Sequence, residues 1–272
     1  MPTATERLRH VTPKIRRAKQ HVTDLEREIR RFLDTSPYKV ASKVDSQTKR
    51  PTYYVSSVEP TPESLPLIAG DAVQNLVSAL DHLAFQLVCS DTGDNPPKPN
   101  RIYFPIADDA AKYEAKKNGK MMGASQATIK AIDALRPYNG GNDLLWVLHE
   151  LNNIEKHRLL LTVGSCAAGM HLGQLMARLS ASSFPRAAVV AMKEMSGFLM
   201  PADKGFPLRP GFELYVGAPN ERPDPDQQFR FNVALNEPGV IDSKSLLETL
   251  HQLTTSVESV ITDLMPCLKD TP

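Results

Sequence analysis

Paired cysteines, a dominant charge, a long apolar run and any internal repeat are all missing from this 272-residue sequence. Cys89, Cys166 and Cys267 are odd in number, far apart and without a Cys-x-x-Cys spacing. That pattern argues against a disulfide framework or a zinc knuckle and fits a reducing compartment. The formal net charge is only +1, so no global field draws in nucleic acid or an anionic membrane. No stretch approaches the roughly 18 apolar residues of a membrane span, and the charged beginning of the chain is not followed by the apolar core of a signal peptide. A cytoplasmic protein with no membrane partner is therefore expected. The lack of a repeat argues against solenoids and propellers.

What is present is an ordinary globular composition, 41% hydrophobic and 23% charged, in a chain long enough to bury a core. The charge is unevenly spread. Residues 1–50 hold thirteen Lys/Arg against six Asp/Glu. Two readings stand: a solvated helix face laced with i,i+4 pairs such as Glu26–Arg30, or a patch that meets a polyanion.

Apolar residues recur every three or four positions over about 5–34, which predicts an amphipathic helix; Pro13 inside this stripe moves the expected start to near Thr12, with Thr12 as cap and Pro13 at the first helical position. The runs Tyr38–Val44 and Thr52–Val58 predict a hairpin over 38–58. Further long helices are expected over 63–88, 143–157 and 243–265, with short ones at Asp108–Gly119 and Ser125–Leu135. Arg101–Ile106 and Arg158–Val163 read as strands. Residues 184–240 carry eight prolines among β-favouring pieces at Ala187–Met192, Phe212–Val216 and Phe229–Ala234, so 158–240 reads as a β insertion. The fold class expected is α+β: a bundle of about four long helices with a small, mostly antiparallel sheet. Because the helices come from distant parts of the chain, a single domain over 1–272 is expected.

Two of those helices carry unusual polar residues. On a wheel at about 100° per residue, Val73, Leu76, Leu80 and Leu83 share one face of the second long helix, while Asp71, Asn75, His82 and Gln86 form a line opposite and Asp81 lies between. In the third, His149, Asn153 and His157 follow one another at i, i+4 and i+8 opposite the apolar stripe, flanked by Trp146 and Glu150. Polar helix faces usually meet water. Aromatics such as Trp146 and Phe85 among them suggest partial cover, under which His, Asn and Asp must hydrogen-bond one another or serve a ligand.

Three chemistries are compatible with this set. His82, His149 and His157 with Asp81, Glu150 or Glu155 could hold a metal and hydrolyse a substrate, although a tight His-x3-His spacing is missing. Alternatively, Lys156 and Arg158 could bind phosphate, Asn153 orient it, and His157 act as acid or base, with Asp81 and His82 completing a metal-free site. Here Asn75, His149, Glu150 and Asn152 would support the site, with no cofactor. The third possibility is a non-catalytic binding or assembly protein, whose buried polar network of Asp81, Asn75, Asn152 and His157 fixes helix register.

The segments Gly70-Asp-x-x-x-Asn75-Leu-x-Ser-Ala-Leu-Asp81-His82-Leu83 and Leu148-His149-x-Leu-Asn152-Asn153-x-x-Lys156-His157-Arg158 resemble a pair of segments shared by a scattered group of bacterial proteins. More distantly, Asn152-Asn153-x3-His157 is similar to the motif of HEPN domains, helical bundles whose ribonuclease members carry Arg-Asn or a similar polar pair, then three to five residues, then His. Asn152 stands where that arginine would be, and Arg158 follows the histidine instead. The resemblance implies a nucleic-acid-acting protein: a metal-independent endoribonuclease of a defence or toxin type, with RNA as partner, working as a homodimer.

Overall fold

The computed structural model describes residues 2–158, 161–179, 184–193, 198–199 and 205–268. In chain order, α1 (Ala4–Leu8) is closed by a capping box, in which the Thr3 side chain accepts from the Glu6 backbone and the Glu6 carboxylate accepts from the Thr3 N–H,. Then comes α2 (Thr12–Asp34), with Pro13 in its first turn, where a missing N–H costs no hydrogen bond. The stripe over 5–34 is thus two helices, and α2 starts at Thr12, where Pro13 led it to be expected, although Val11 rather than Thr12 holds the cap position. Arg7 is 1% exposed and reaches Asp94 at 2.7 Å, which fastens α1 to the far end of α3.

The hairpin of β1 (Tyr38–Val44) and β2 (Pro51–Val58) follows, antiparallel with Tyr38 opposite Val58. The Asp45 carboxylate accepts from the backbone of Gln47 and Thr48 and shapes its turn,. α3 (Ser64–Thr92) runs one turn beyond the expected end and stops at Gly93 in the left-handed conformation,. α4 (Ala110–Lys120) and α5 (Gln126–Ala134) start at the caps Asp109 and Ser125. α6 (Asp143–Arg158) begins at the Asn139–Asn142 turn. There Asn142 Oδ1 accepts the Leu145 N–H at 3.3 Å, and a Cβ at Gly141 would strike the carbonyl of Arg136.

Beyond α6 lie β3 (Val163–His171), α7 (Leu172–Leu179), α8 (Arg186–Lys193), β4 (Phe198–Leu199), β5 (Glu213–Val216), β6 (Phe229–Glu237), β7 (Ile241–Ser245) and α9 (Leu246–Leu264). The fold is α+β, with two sheets where one was expected: β1-β2-β5 and β4-β3-β6-β7, antiparallel throughout.

Other expectations need correction. The region 158–240 is not wholly β, because α7 and α8 interrupt it. Ala187–Met192, expected as a strand, lies in α8, where three alanines outweigh the β preference of Val189-Val190. Arg101–Ile106 forms no strand: a 3-10 turn over Pro99–Arg101 leads into irregular chain, since Pro105 has no N–H to give a ladder. Of the strand expected at Arg158–Val163, Arg158 ends α6 and β3 starts at Val163, while Leu159 and Leu160 lie outside the described residues. Nine helices stand among the described residues, so the four longest, which are the four expected, are joined by five shorter ones.

α3 is central and touches α2, α6 and α9. Ala72, Val73, Leu76, Ala79, Leu80, Leu83 and Leu87 on α3 are at most 1% exposed. They share one core with Leu25 of α2, Leu148 and Leu151 of α6, and Leu250, Leu253 and Val257 of α9. The polar residues of α3 lie outside this apolar face: Asp71, Gln74 and His82 are exposed, Asp81 lines a pocket beside α6, and Asp91 accepts from Ser125 and Thr128 at the start of α5.

Candidate functional site

α3 and α6 pack closely near Gly70, where a Cβ would stand 2.9 Å from Cγ of Glu155. Further along this seam lies a pocket of about 260 Å³. Leu80 and Asp81 of α3 form one wall, and His149, Asn152, Asn153 and Lys156 of α6 form the other. The Tyr103–Ile106 segment and Lys120, the last residue of α4, complete it. The α6 residues follow helix geometry: at 3.6 residues per turn Lys156 lies about 20° from His149, whereas His157 lies about 80° away. The line facing the pocket is therefore 149-152-153-156, not 149-153-157.

Asp81 is the anchor. Its Oδ1 accepts the Phe104 N–H at 3.0 Å, which gives the irregular segment before Pro105 the partner that a strand would have supplied. Burial pushes the Asp81 carboxyl up from the ordinary carboxylate range, against the opposing pull of that hydrogen bond and of the Lys156 and Lys120 charges,. Lys120 donates to the carbonyl of Ile106 at 3.1 Å. Its ammonium is pushed down, first by burial and then by Lys116, with Asp81 and Asp108 acting in the opposite sense. The half-buried His149 is lowered to about 4, by burial first and then by Lys120, so its imidazole is neutral at pH 7.

Asn152 is 3% exposed, and its Oδ1 has no hydrogen-bond partner. A buried acceptor left unpaired costs about 1–3 kcal/mol, so a ligand bringing an N–H or O–H to this pocket meets an acceptor already stripped of water. Beside it, the Asn153 side-chain amide donates to Glu150 at 3.4 Å. Glu150 is raised by burial and then by Asp108, and Asp108 is itself paired with Lys112 at 2.7 Å. Glu150 thus stands behind the pocket and orients Asn153.

The remaining candidates lie elsewhere. His157 is exposed and does not line the pocket. His82 is exposed on the opposite seam of α3, where burial and then the charges of Lys14 and His10 lower its imidazole. Asn75 donates to the carbonyl of Asp71 in its own helix at 2.8 Å. Arg158 ends α6, and its side chain lies outside what the structure describes. The expected cover over the α6 polar line is present, for Trp146 is partly buried and its indole N–H has no partner. Among the described residues, no three His, Cys, Asp or Glu side chains are grouped so that they could hold a metal ion. The trio His82, His149 and His157 is accordingly not a ligand set.

No protein family, no curated protein and no solved structure matches this chain.

Sequence reasoning missed Lys120 and the Tyr103–Ile106 segment. A lysine in the last turn of a short helix reads as a partner of the helix dipole, and nothing local says that its ammonium turns back onto the Ile106 carbonyl. The signal that was available is Pro105, which forbids a regular ladder and leaves the neighbouring N–H in search of a side-chain acceptor.

Proposed function

We propose that the α3/α6 pocket binds a phosphodiester of RNA and cleaves it without a metal, within a HEPN-like helical arrangement. The observation that carries this reading is the donor and acceptor set around one small cavity. Two ammonium groups, a carboxyl raised by burial, a neutral imidazole and an unpaired amide oxygen surround a space suited to one phosphate and its ribose edge.

In this reaction the Asp81 carboxylate takes the proton of the ribose 2′-OH. The 2′ oxygen forms a bond to phosphorus, and the bond from phosphorus to the 5′ oxygen of the next nucleotide breaks. Lys120, whose ammonium is already disfavoured by burial, gives its proton to that leaving oxygen. The products are a 2′,3′-cyclic phosphate and a 5′-hydroxyl, and Asp81 and Lys120 regain their starting states by exchange with water. Lys156 balances the charge that develops on the phosphoryl oxygens. A carboxyl pushed up and an ammonium pushed down are displaced toward the pH at which both work. His149, neutral and half-buried, hydrogen-bonds the substrate, while Asn152 accepts from it.

Incubation of the purified protein with mixed RNA in EDTA tests the proposal. Cleavage to cyclic-phosphate ends, lost in Asp81→Asn and Lys120→Met and kept in His157→Ala, is the expected result. Intact RNA under all conditions overturns it. The resemblance of Asn152-Asn153-x3-His157 to the HEPN motif suggests a second reading, in which exposed His157 serves a site shared between two copies; loss of cleavage in His157→Ala, with a dimer seen by sedimentation, would favour that arrangement.

A further inference from the structure

The α3/α6 pocket is polar within and has an aromatic residue at its rim. Its volume of about 260 Å³ suits one phosphate with its ribose edge, so a base attached to that ribose must lie outside. Two aromatic residues line the pocket. Phe104 is 4% exposed and belongs to the core, whereas Tyr103 is 50% exposed. Tyr103 and Phe184 are the exposed aromatic side chains among the described residues, and of the two only Tyr103 borders this pocket.

The exposure of Tyr103 does not come from a loose chain. Ile102 and Phe104 on either side are buried, so alternate residues hold the extended segment to the core and turn Tyr103 outward. The backbone is fastened from two sides. The Tyr103 N–H donates to the Lys120 carbonyl at 3.2 Å, and the next N–H, that of Phe104, donates to the Asp81 carboxylate at 3.0 Å. The Lys120 ammonium in turn donates to the Ile106 carbonyl at 3.1 Å. One short stretch of chain therefore carries the tyrosine and contacts both Asp81 and Lys120. Among the described residues, the Tyr103 ring packs on no other aromatic ring.

A lone exposed tyrosine ordinarily needs no explanation. This one is held in place beside a charged pocket, and Ile102, Phe104, Pro105 and Ile106 around it in sequence are all buried, so its own segment offers no apolar face to a protein or a lipid. A ligand with a flat π-face joined to an anionic group matches an aromatic rim joined to a cationic interior.

We propose that Tyr103 is the platform on which a nucleobase next to the scissile phosphodiester stacks, and that this restricts the substrate to unpaired RNA. The inference rests on the pocket reading and adds what that reading leaves open, the state of the strand. A base inside a duplex is already stacked and paired, whereas an unpaired base can present its face to an aromatic side chain. Because every base has such a face, Tyr103 selects for an unpaired strand rather than for a sequence.

The test is binding to the full chain, by fluorescence anisotropy, of a labelled 2′-O-methyl dinucleotide, which cannot be cut, and of two abasic forms lacking one base or the other. Tyr103→Ala should weaken the intact dinucleotide about tenfold, while Tyr103→Phe and Tyr103→Trp, which keep a ring, should stay within about twofold of the unmodified protein. One abasic form should bind the unmodified protein about tenfold more weakly, and for that form Tyr103→Ala should cost less than about twofold, because base and ring act as a pair. Phe184→Ala should change nothing, and equal melting temperatures would show that the variants fold. Pairing a 2′-O-methyl octanucleotide with its complement should weaken its binding about tenfold; equal affinity for both forms would overturn the restriction to unpaired RNA. If Tyr103→Ala binds the intact dinucleotide normally, or weakens intact and abasic forms alike, the platform is overturned, while cleavage lost in Asp81→Asn would keep the pocket reading. If the dinucleotide binds through Tyr103 but no RNA is cut, the reaction is overturned and the platform stands. No binding of any form would overturn both. A dimer that sediments as a monomer in Tyr103→Ala, with dinucleotide binding unchanged, would overturn the proposal in favour of a contact between copies.

Discussion

The α3/α6 pocket and the groove along α9 make an instructive pair. The groove, about 790 Å³, is the larger; it runs beside Leu247, His251, Gln252, Thr255 and Ser259 of α9 and reaches Leu135, Leu144 and Arg230. Much of its α9 edge is exposed amide and hydroxyl, already served by water. The pocket has about 260 Å³ but holds Asp81, Lys120 and His149, each displaced by burial, and an amide oxygen with no partner. Volume shows where a molecule can fit. Polar groups held at a cost show where the fold gives up stability for something else.

The strongest test of that contrast is Asp81→Asn. The amide oxygen can still accept the Phe104 N–H, so the Tyr103–Ile106 segment stays in place while the proposed base is removed; cleavage measured against the unmodified protein should fall by about 10²–10⁴-fold. The melting temperature at pH 7 should not fall. A carboxyl raised in the folded state favours folding less once ionised, so removing its charge removes a cost. A clear drop in melting temperature together with unchanged cleavage would make Asp81 a structural residue and remove the distinction between the two cavities.

Replacing Asn152 by Leu comes next. It should weaken binding of a non-cleavable dinucleotide by about tenfold, because the desolvated acceptor no longer meets the ligand. Asn236→Leu, which deletes the acceptor of the Ser243 backbone N–H and hydroxyl, should instead leave dinucleotide binding intact and lower the melting temperature. If both variants change only stability, Asn152 is as structural as Asn236.

A smaller effect is expected from pH. The folded-state value of about 4 for His149 lies below the ordinary imidazole value of 6.5, so between these pH values the unfolded chain binds the proton more readily. The contribution of His149 is therefore fully present above about pH 6.5 and is lost as pH falls toward 4. Melting curves from pH 7 to 4 should show a loss that is reduced in His149→Gln. An identical loss in the variant would mean that other groups carry it.

The smallest effects should come from the groove. His251→Ala and Gln252→Ala, both exposed on α9, should change stability by no more than about 0.5 kcal/mol, and cleavage by less than twofold. A large loss of activity from either would show that the larger cavity is the functional one.

Much of the architecture was legible because it follows local rules. The apolar spacing of α2, α3, α6 and α9, the hairpin at Tyr38–Val58 and the cap at Ser125 all depend on neighbours a few residues away. The failures came where local preferences were outvoted or silent. Val189-Val190 reads as β until the alanines around it are weighed, and a second sheet cannot be counted from strands alone, because pairing of β5 with β2 is a contact between distant parts of the chain. In the site, Asp81, His149, Asn152, Asn153 and Lys156 were singled out as unusual and share the pocket. Placing His157 among them relied on an i, i+8 spacing, over which the helical period drifts most of a quarter-turn. Lys120 was invisible because only the packing of α4 brings its ammonium back to Ile106.

Composition and periodicity alone determined that this chain folds as α+β, with long amphipathic helices and rare polar residues confined to two of them, since burial of an apolar stripe depends only on the order of side chains along a helix. The tertiary structure decided which polar residues meet. The relative rotation of α3 and α6, and the return of the chain through Phe104 and Lys120, put Asp81 in a pocket and left His82 and His157 in water. That choice depends on how helices pack against one another, which no single helix encodes.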